Sequence, residues 1–217
     1  MPLDQALERK RRRHMLLVTV PRLLNSHLAP VLGSARWLFI ARLLLSARRY
    51  KRQFAKPTDD VLLTKVKATF LLVGALYNEL IPRVGTDRAL STTQAFLFDL
   101  ASEVQRTAYF GSSPSERGWD QLHDEHELQM NEGFISANEH DAIQRSDARV
   151  SLHIIRCRFH ECFRDMGNAA ITEAFCRSDE AVFNDYSATI RFHRGGVSPD
   201  TIARGAKACT FAFDRKP

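Results

Sequence analysis

The chain is organised around RVSLHIIRCRFHECFRDMG (149–167), followed by ITEAFCRSDEAVFNDYSATIRFHRGG (171–196) and TIARGAKACTFAF (201–213). All four cysteines lie here: Cys157, Cys162, Cys176 and Cys209. In Arg149 to Ile155, Val150, Leu152 and Ile154 alternate with Ser151 and His153, which predicts a strand with one apolar face. Cys157 then stands where that strand gives way to a short helix closed by Gly167, a cheap left-handed cap. Within that helix Cys157 and Glu161 are four residues apart and share a face. A second short helix, about Ala169 to Cys176, is expected to end in Cys-Arg-Ser-Asp and so to bring Cys176 near Asp179. Ala188 to His193 and Lys207 to Phe213 alternate as strands. The Gly195-Gly196 and Pro199 loop lets these two strands pair antiparallel.

Outward from this stretch the signals are helical. Ser34 is placed to cap a helix to about Phe54 that carries Trp37, Leu38, Phe39, Ile40, Leu43, Leu44 and Leu45, then Arg48, Arg49, Lys51 and Arg52. Its apolar run is interrupted by Arg42 and is too short for the ~20 residues of a membrane span. It suits packing on the body or on a second copy in a homo-oligomer. It also suits peripheral contact with a membrane through 34–54, where Trp, Leu and a basic face are favoured. The Arg-rich, acid-poor start has transit-peptide composition as well. Lys56 to Asp60 reads as a linker, with Asp59 or Asp60 an oxygen acceptor for the next helix. Leu62, Val66, Phe70, Val73, Leu76 and Leu80 recur at helical spacing. After Pro82 and Gly85, Asp87 is expected to cap a partner helix with a stripe of Leu90, Leu97, Leu100, Val104 and Ala108. The two read as an antiparallel scaffold pair. Gly111 to Gly118 reads as a loop. His123-Asp124-Glu125-His126 reads as a solvated acidic segment rather than a zinc motif, because the His-Glu-x-x-His spacing is absent. Phe134 to Ser146 is a polar connection with helix expected near 139–144.

Composition sets bounds. At 217 residues, 44% hydrophobic and 26% charged, the chain is long enough for one substantial core with an appendage. Residues 1–52 carry 12 Lys/Arg against 2 Asp/Glu, and the remainder 19 against 23. The basicity therefore belongs to an N-terminal extension, residues 1–56. The body, 57–217, is mildly acidic, which argues against nucleic acid as its partner. Four cysteines without a secretory pattern are expected to be free thiols in a reducing, cytoplasmic setting. Phosphate loops, nucleophile elbows and dinucleotide fingerprints are absent from the sequence. The fold expected is α+β: N-terminal helices, then a small, mainly antiparallel sheet with short helices.

The ordered series also resembles the L-2-amino-thiazoline-4-carboxylic acid hydrolase family. Cys157 and Glu161 match its Cys-x-x-x-Glu element, and Cys176 and Asp179 its Cys-x-x-Asp. Phe192 and Arg194, then Thr201, Gly205, Cys209 and Phe211, match the rest. The resemblance is good from about Ser112 to Phe213. Met166-Gly167 stands where the family has Leu-Gly, and His160 and Cys162 lie outside the pattern. What it implies is hydrolysis of a small cyclic amidine-like substrate at the carbon between nitrogen and sulfur, breaking a C–N bond.

A thiolate could make that attack if a cation or helix N-terminus lowered its pKa. Cys157, at a helix start between Arg156 and Arg158, fits, with Glu161 moving protons. Cys176 with Asp179 is the second pair. Arg194, like Arg156, is suited to a substrate carboxylate. Cys209 reads as strand packing beside the substrate, and Cys162 as structural. Beside this stands the bland reading, since free cysteines usually pack as small apolar groups. No cofactor is expected. The alternative use of the same atoms is a divalent metal held by Cys157, Cys176, Asp179 and Cys209, or by His160 or His193. The alternative function is a non-hydrolytic member that binds a small ligand, metal or protein partner and is attached by its basic helix.

Overall fold

The computed structural model describes all residues except 1–4, 55, 57, 110–116, 132–134, 197 and 217; the side chains of 5–8 and 109 are also left aside. The expected 111–118 loop lies mostly outside the described residues. By internal contacts the chain forms two compact units. One holds Ala6–Leu100 with Arg158–Ala174, the other Ala101–Cys157 with Phe175–Pro217. The basic N-terminal helices thus fall in the same unit as the scaffold helices, a different division from one at residue 56.

The first unit is helical. Helices α1 (Gln5–His14), α2 (Val20–Leu32) and α3 (Arg36–Phe54) are joined by a π-helical turn, Met15–Thr19, and a 3-10 turn, Gly33–Ala35. Ser34 sits in that turn rather than capping α3, because Gly33 at φ 55° breaks the helix there. Helix α4 (Val61–Val84) starts where expected: the Asp60 carboxylate accepts from the Leu63 amide at 2.9 Å. The same carboxylate takes the buried Arg158 guanidinium of α7 (Arg158–Asp165). Helix α4 buries Leu63, Val66, Phe70, Val73, Leu76 and Leu80, so its stripe begins one residue later than expected. Its nearest helical neighbours are α3 and α7, not the next helix α5 (Thr86–Tyr109), and the expected antiparallel pair is replaced by these. Phe70 meets Phe159 and Phe163 edge-on at 5.5 and 6.0 Å. Close approach of α4 needs Gly74, since a Cβ there would fall 2.4 Å from the Met166 sulfur. Helix α5 begins at Thr86, with Asp87 inside its first turn. In this unit its buried face is carried by Ala89, Thr93, Phe96 and Leu97.

The second unit is built on a five-stranded antiparallel sheet. Its strands are β1 (Glu139–His140), β2 (Gln144–Arg145), β3 (Arg149–Arg156), β4 (Ile190–His193) and β5 (Cys209–Arg215). The order is β1-β3-β5-β4, with β2 also on β3. The expected pairing of the last two strands is present, with Phe192 opposite Phe213. β3 aligns with β5 from Arg149↔Asp214 to Ile154↔Cys209. The 139–145 segment pairs with β3 instead of forming a helix, which satisfies edge amides that a lone strand would expose. The core joins Leu152, Ile154, Phe183, Phe192, Phe211 and Phe213, with ring centroids about 5 Å apart between Phe183, Phe192 and Phe213. Helix α6 (Trp119–Asn131) adds Leu122 and Met130. His126 of the expected solvated segment is instead buried, edge-on to Phe213 at 5.1 Å.

Candidate active site

The second short helix of the sequence reading is longer than expected. A 3-10 turn, Ala169–Thr172, leads into α8 (Glu173–Asn184), so Cys176 and Asp179 lie inside one helix, three residues apart. Asn168 caps the turn through its side chain to the Ala170 amide at 3.0 Å. Spacing of three places Cys176 and Asp179 on one face. Asp179 points to Arg194, which follows β4 directly.

The Arg194 guanidinium is the centre of the site. It is 6% exposed and stacks over Phe211 and Phe192, at 4.5 and 5.3 Å from the ring centroids. One terminal nitrogen, Nη2, donates to Asp179 Oδ2 at 2.7 Å and to the Cys176 carbonyl at 3.2 Å. Nε lies 3.3 Å from Glu180 Oε1. The other terminal nitrogen, Nη1, is buried with no hydrogen-bond partner among the described residues. A buried guanidinium with an unmatched donor is costly unless something accepts from it. On the far side of Asp179, Gln105 of α5 donates to Oδ1 at 2.5 Å. Cys209, at the start of β5, accepts from the Ile202 amide at 3.1 Å. Thr201 is fully buried, and its hydroxyl eases the Cys176 thiol. Arg204 closes the rim through Asp200 at 2.9 Å and Glu180 at 3.4 Å.

The electrostatics follow from burial. Burial pushes the Cys176 thiol up to about 12, and Arg194 only partly offsets it. Burial likewise raises Cys209 and the Asp179 carboxyl, the latter against the pull of Arg194 and Gln105. For Arg194 desolvation is the largest single effect and lowers it, but the charge and hydrogen bond of Asp179 together with the Cys176 and Cys209 sulfurs outweigh it, so Arg194 is raised. The resting site is therefore a neutral thiol beside a carboxylate–guanidinium pair whose carboxyl takes up protons more readily than a solvated one.

Of the residues singled out in the sequence, the structure brings Cys176, Asp179, Arg194 and Cys209 into one cluster in the second unit. Cys157 packs against the apolar core that also holds Cys209, Phe192 and Phe211. Cys157, half-buried, ends the second unit, and Glu161 lies on α7 of the first. Arg156 pairs with Glu139 at 2.9 Å across β1 and β3. Cys162 is fully buried against Met166 and its thiol is pushed up to about 12, which fits a packing role. Among the described residues no group of three or more His, Cys, Asp or Glu side chains forms a metal site. Gln105 and Glu180 were missed. Gln105 sits among helical scaffold residues with nothing local to mark it, and Glu180 was hidden beside the Cys-x-x-Asp it adjoins. A concavity of about 690 Å³, lined by Arg149, Arg191, Arg215 and Lys216, contains none of these residues. There Arg149 above all, then Arg191 and His193, hold Asp214 far below the usual carboxylate range, so much of its positive charge is already matched.

No curated protein and no solved structure matches the chain. The sequence profile of the L-2-amino-thiazoline-4-carboxylic acid hydrolase family does match, over residues 64–213, a span that includes every residue of the cluster. With more than half of its length covered by that profile, and its cysteines, Asp179 and Arg194 falling inside it, the chain belongs to the L-2-amino-thiazoline-4-carboxylic acid hydrolase family.

Proposed function

We propose that this chain hydrolyses a small cyclic amidine-like carboxylate, a 2-amino-thiazoline carboxylate or a related heterocycle, opening the ring at a C–N bond. The observation that carries the reading is the buried Arg194 with its open Nη1, set between Cys176, Asp179 and Cys209 in a chain of this family. A substrate carboxylate would accept from Nη1, giving that nitrogen the acceptor it lacks.

With its pKa near 12 the Cys176 thiol is protonated at rest. Attack on the ring carbon between nitrogen and sulfur then needs its proton removed in the same step, and Asp179 is the nearest acid on its helix face. The proton passes to the departing ring nitrogen as the C–N bond breaks. Water next adds to the enzyme-bound carbon, and the thiol leaves with a proton. Cys157 with Glu161 stands as the second cysteine–acid pair, so the two cysteines are separated by experiment.

The test is a ring-opening assay on the purified chain with 2-amino-thiazoline-4-carboxylate. A released amine without a released thiol is expected; a released thiol would assign the broken bond as C–S. Cys176→Ser should abolish turnover while Cys157→Ser keeps it, and the reverse would move the nucleophile to Cys157. One observation favours a second reading, a ligand-binding member without turnover: burial keeps the Cys176 thiol far from ionisation. That reading predicts four cysteines inert to iodoacetamide and substrate binding without product.

A further inference from the structure

The first unit carries a surface that the proposed hydrolysis does not use. Seven of the exposed large apolar side chains lie between residues 16 and 45: Leu16, Leu17 and Val18 on the π-helical turn, and Trp37, Leu38, Leu44 and Leu45 on α3. Leu45 is 81% exposed. Isolated exposed leucines are ordinary, but a run of them on one helix is not. Helix α3 turns Phe39, Leu43 and Tyr50 inward and α4 lies against it. At about 100° per residue, Trp37, Leu38, Leu44 and Leu45 fall on the opposite half of the helix, where Arg48 and Arg52 are exposed as well and Arg42 is exposed at its edge. From Arg9 to Thr58 the chain has 13 Lys/Arg and not one Asp or Glu.

Each occupant of such a face has to meet both the leucines and the arginines. A second copy would lay an acid-free arginine surface on itself, with like charges opposed across a symmetric contact. A nucleic acid would answer the arginines and leave the Trp and Leu side chains in water. An anionic lipid surface answers both: the apolar side chains enter the acyl boundary, Trp sits at headgroup depth, and the arginines reach the phosphates. The stretch Arg9–Phe54 is apolar and long enough to cross a bilayer, and only 17% of its most apolar window is buried. Crossing is disfavoured because Gly33 interrupts the helix and the Phe39–Leu43–Tyr50 face is already packed. We infer that α3, with the 15–19 turn, docks this protein on the surface of an anionic phospholipid bilayer without spanning it.

The experiment is co-sedimentation of the full-length chain with phosphatidylcholine vesicles, with and without about 30% phosphatidylglycerol. Binding at least about tenfold stronger to the anionic vesicles, and weakening from about 0.1 M to about 0.5 M salt, is expected. Leu44→Asp/Leu45→Asp should lower that binding about tenfold or more, as should Arg48→Glu/Arg52→Glu. Both pairs are exposed, so circular dichroism should be unchanged. In a Trp119→Phe background, Trp37 emission should shift to the blue on vesicle addition. Equal binding to neutral and anionic vesicles would overturn the proposal. So would anionic binding that survives the leucine substitutions. A concentration-dependent dimer in sedimentation equilibrium, abolished by those substitutions, would assign the face to a second copy instead.

Discussion

Arg194 is where the residue-scale chemistry concentrates. Its planar fork already spends one nitrogen on Asp179 and the Cys176 carbonyl, while its apolar faces rest on Phe211 and Phe192. Lysine keeps the charge but loses the fork. Arg194→Lys should therefore lower kcat/KM for the ring-opening reaction by about 100-fold or more, mostly through KM if the open nitrogen holds the substrate carboxylate. Steady-state kinetics reads this directly; unchanged KM would remove Arg194 from substrate contact.

His126 makes a separate residue-scale prediction. Burial depresses it to about 4, with the charges of Arg145, His123 and His140 adding to the effect. Since its folded pKa lies below the ordinary 6.5, its neutral form stabilises the fold above about pH 6.5, and this is lost as pH falls toward 4. The loss amounts to about 3 kcal/mol over that window. Thermal melts between pH 7 and 4 should fall less steeply for His126→Leu than for the parent chain; parallel slopes would sink the assignment. Sequence gave the pair His123 and His126 but not this outcome, because i, i+3 histidines look alike whether a helix faces water or a phenylalanine.

At the scale of elements, boundaries marked by local chemistry were legible and partners were not. Asp60 is the clearest case. Its acceptor role at the start of α4 was readable from one carboxylate before an apolar repeat, but its second partner, Arg158, is 98 residues away. Asp60→Ala removes both the cap and the counter-charge of a nearly buried guanidinium. It should cost about 2–4 kcal/mol in chemical denaturation, more than the ~1 kcal/mol of a cap alone. Asp60→Asn should recover the cap and little else; equal effects of the two variants would mean that the cap contributes nothing, and Asp60→Asn as stable as the parent would mean that the ion pair contributes nothing.

Strands β3, β4 and β5 were readable from alternation, down to the antiparallel pairing over the glycine loop. The strands at 139–145 were not, since a two-residue strand has no period. The buried face of α5 was read only in part: Leu97 is buried as expected, beside Phe96, but small and polar residues, Ala89 and Thr93, carry the rest of it. Ala89 and Thr93 pack as closely as leucine where helices approach, and hydropathy does not mark them.

At the scale of the whole chain, the basic extension is part of a folded unit rather than an appendage on one. Helix α3 covers α4 with Phe39, Leu43 and Tyr50, and the Tyr50 hydroxyl and Arg49 both reach Glu79. A chain beginning at residue 57 should therefore expose the α4 face. It is expected to bind 8-anilinonaphthalene-1-sulfonate and to melt at least ~5 °C below the full chain. A cooperative, dye-silent melt at the parent temperature would show that α4 needs no cover.

By itself the sequence determined the class of fold, the order of strand and helix in residues 149–213, and the cysteine, aspartate and arginine series that carries the family. Those features are local: alternation, capping and short spacing are set by neighbours along the chain. Tertiary structure alone decided that Cys176, Asp179, Arg194 and Cys209 share one cluster. It also decided that Gln105 holds the carboxylate and that burial keeps the thiols protonated. Convergence and desolvation depend on which distant segments exclude water together, and no window of sequence contains that information.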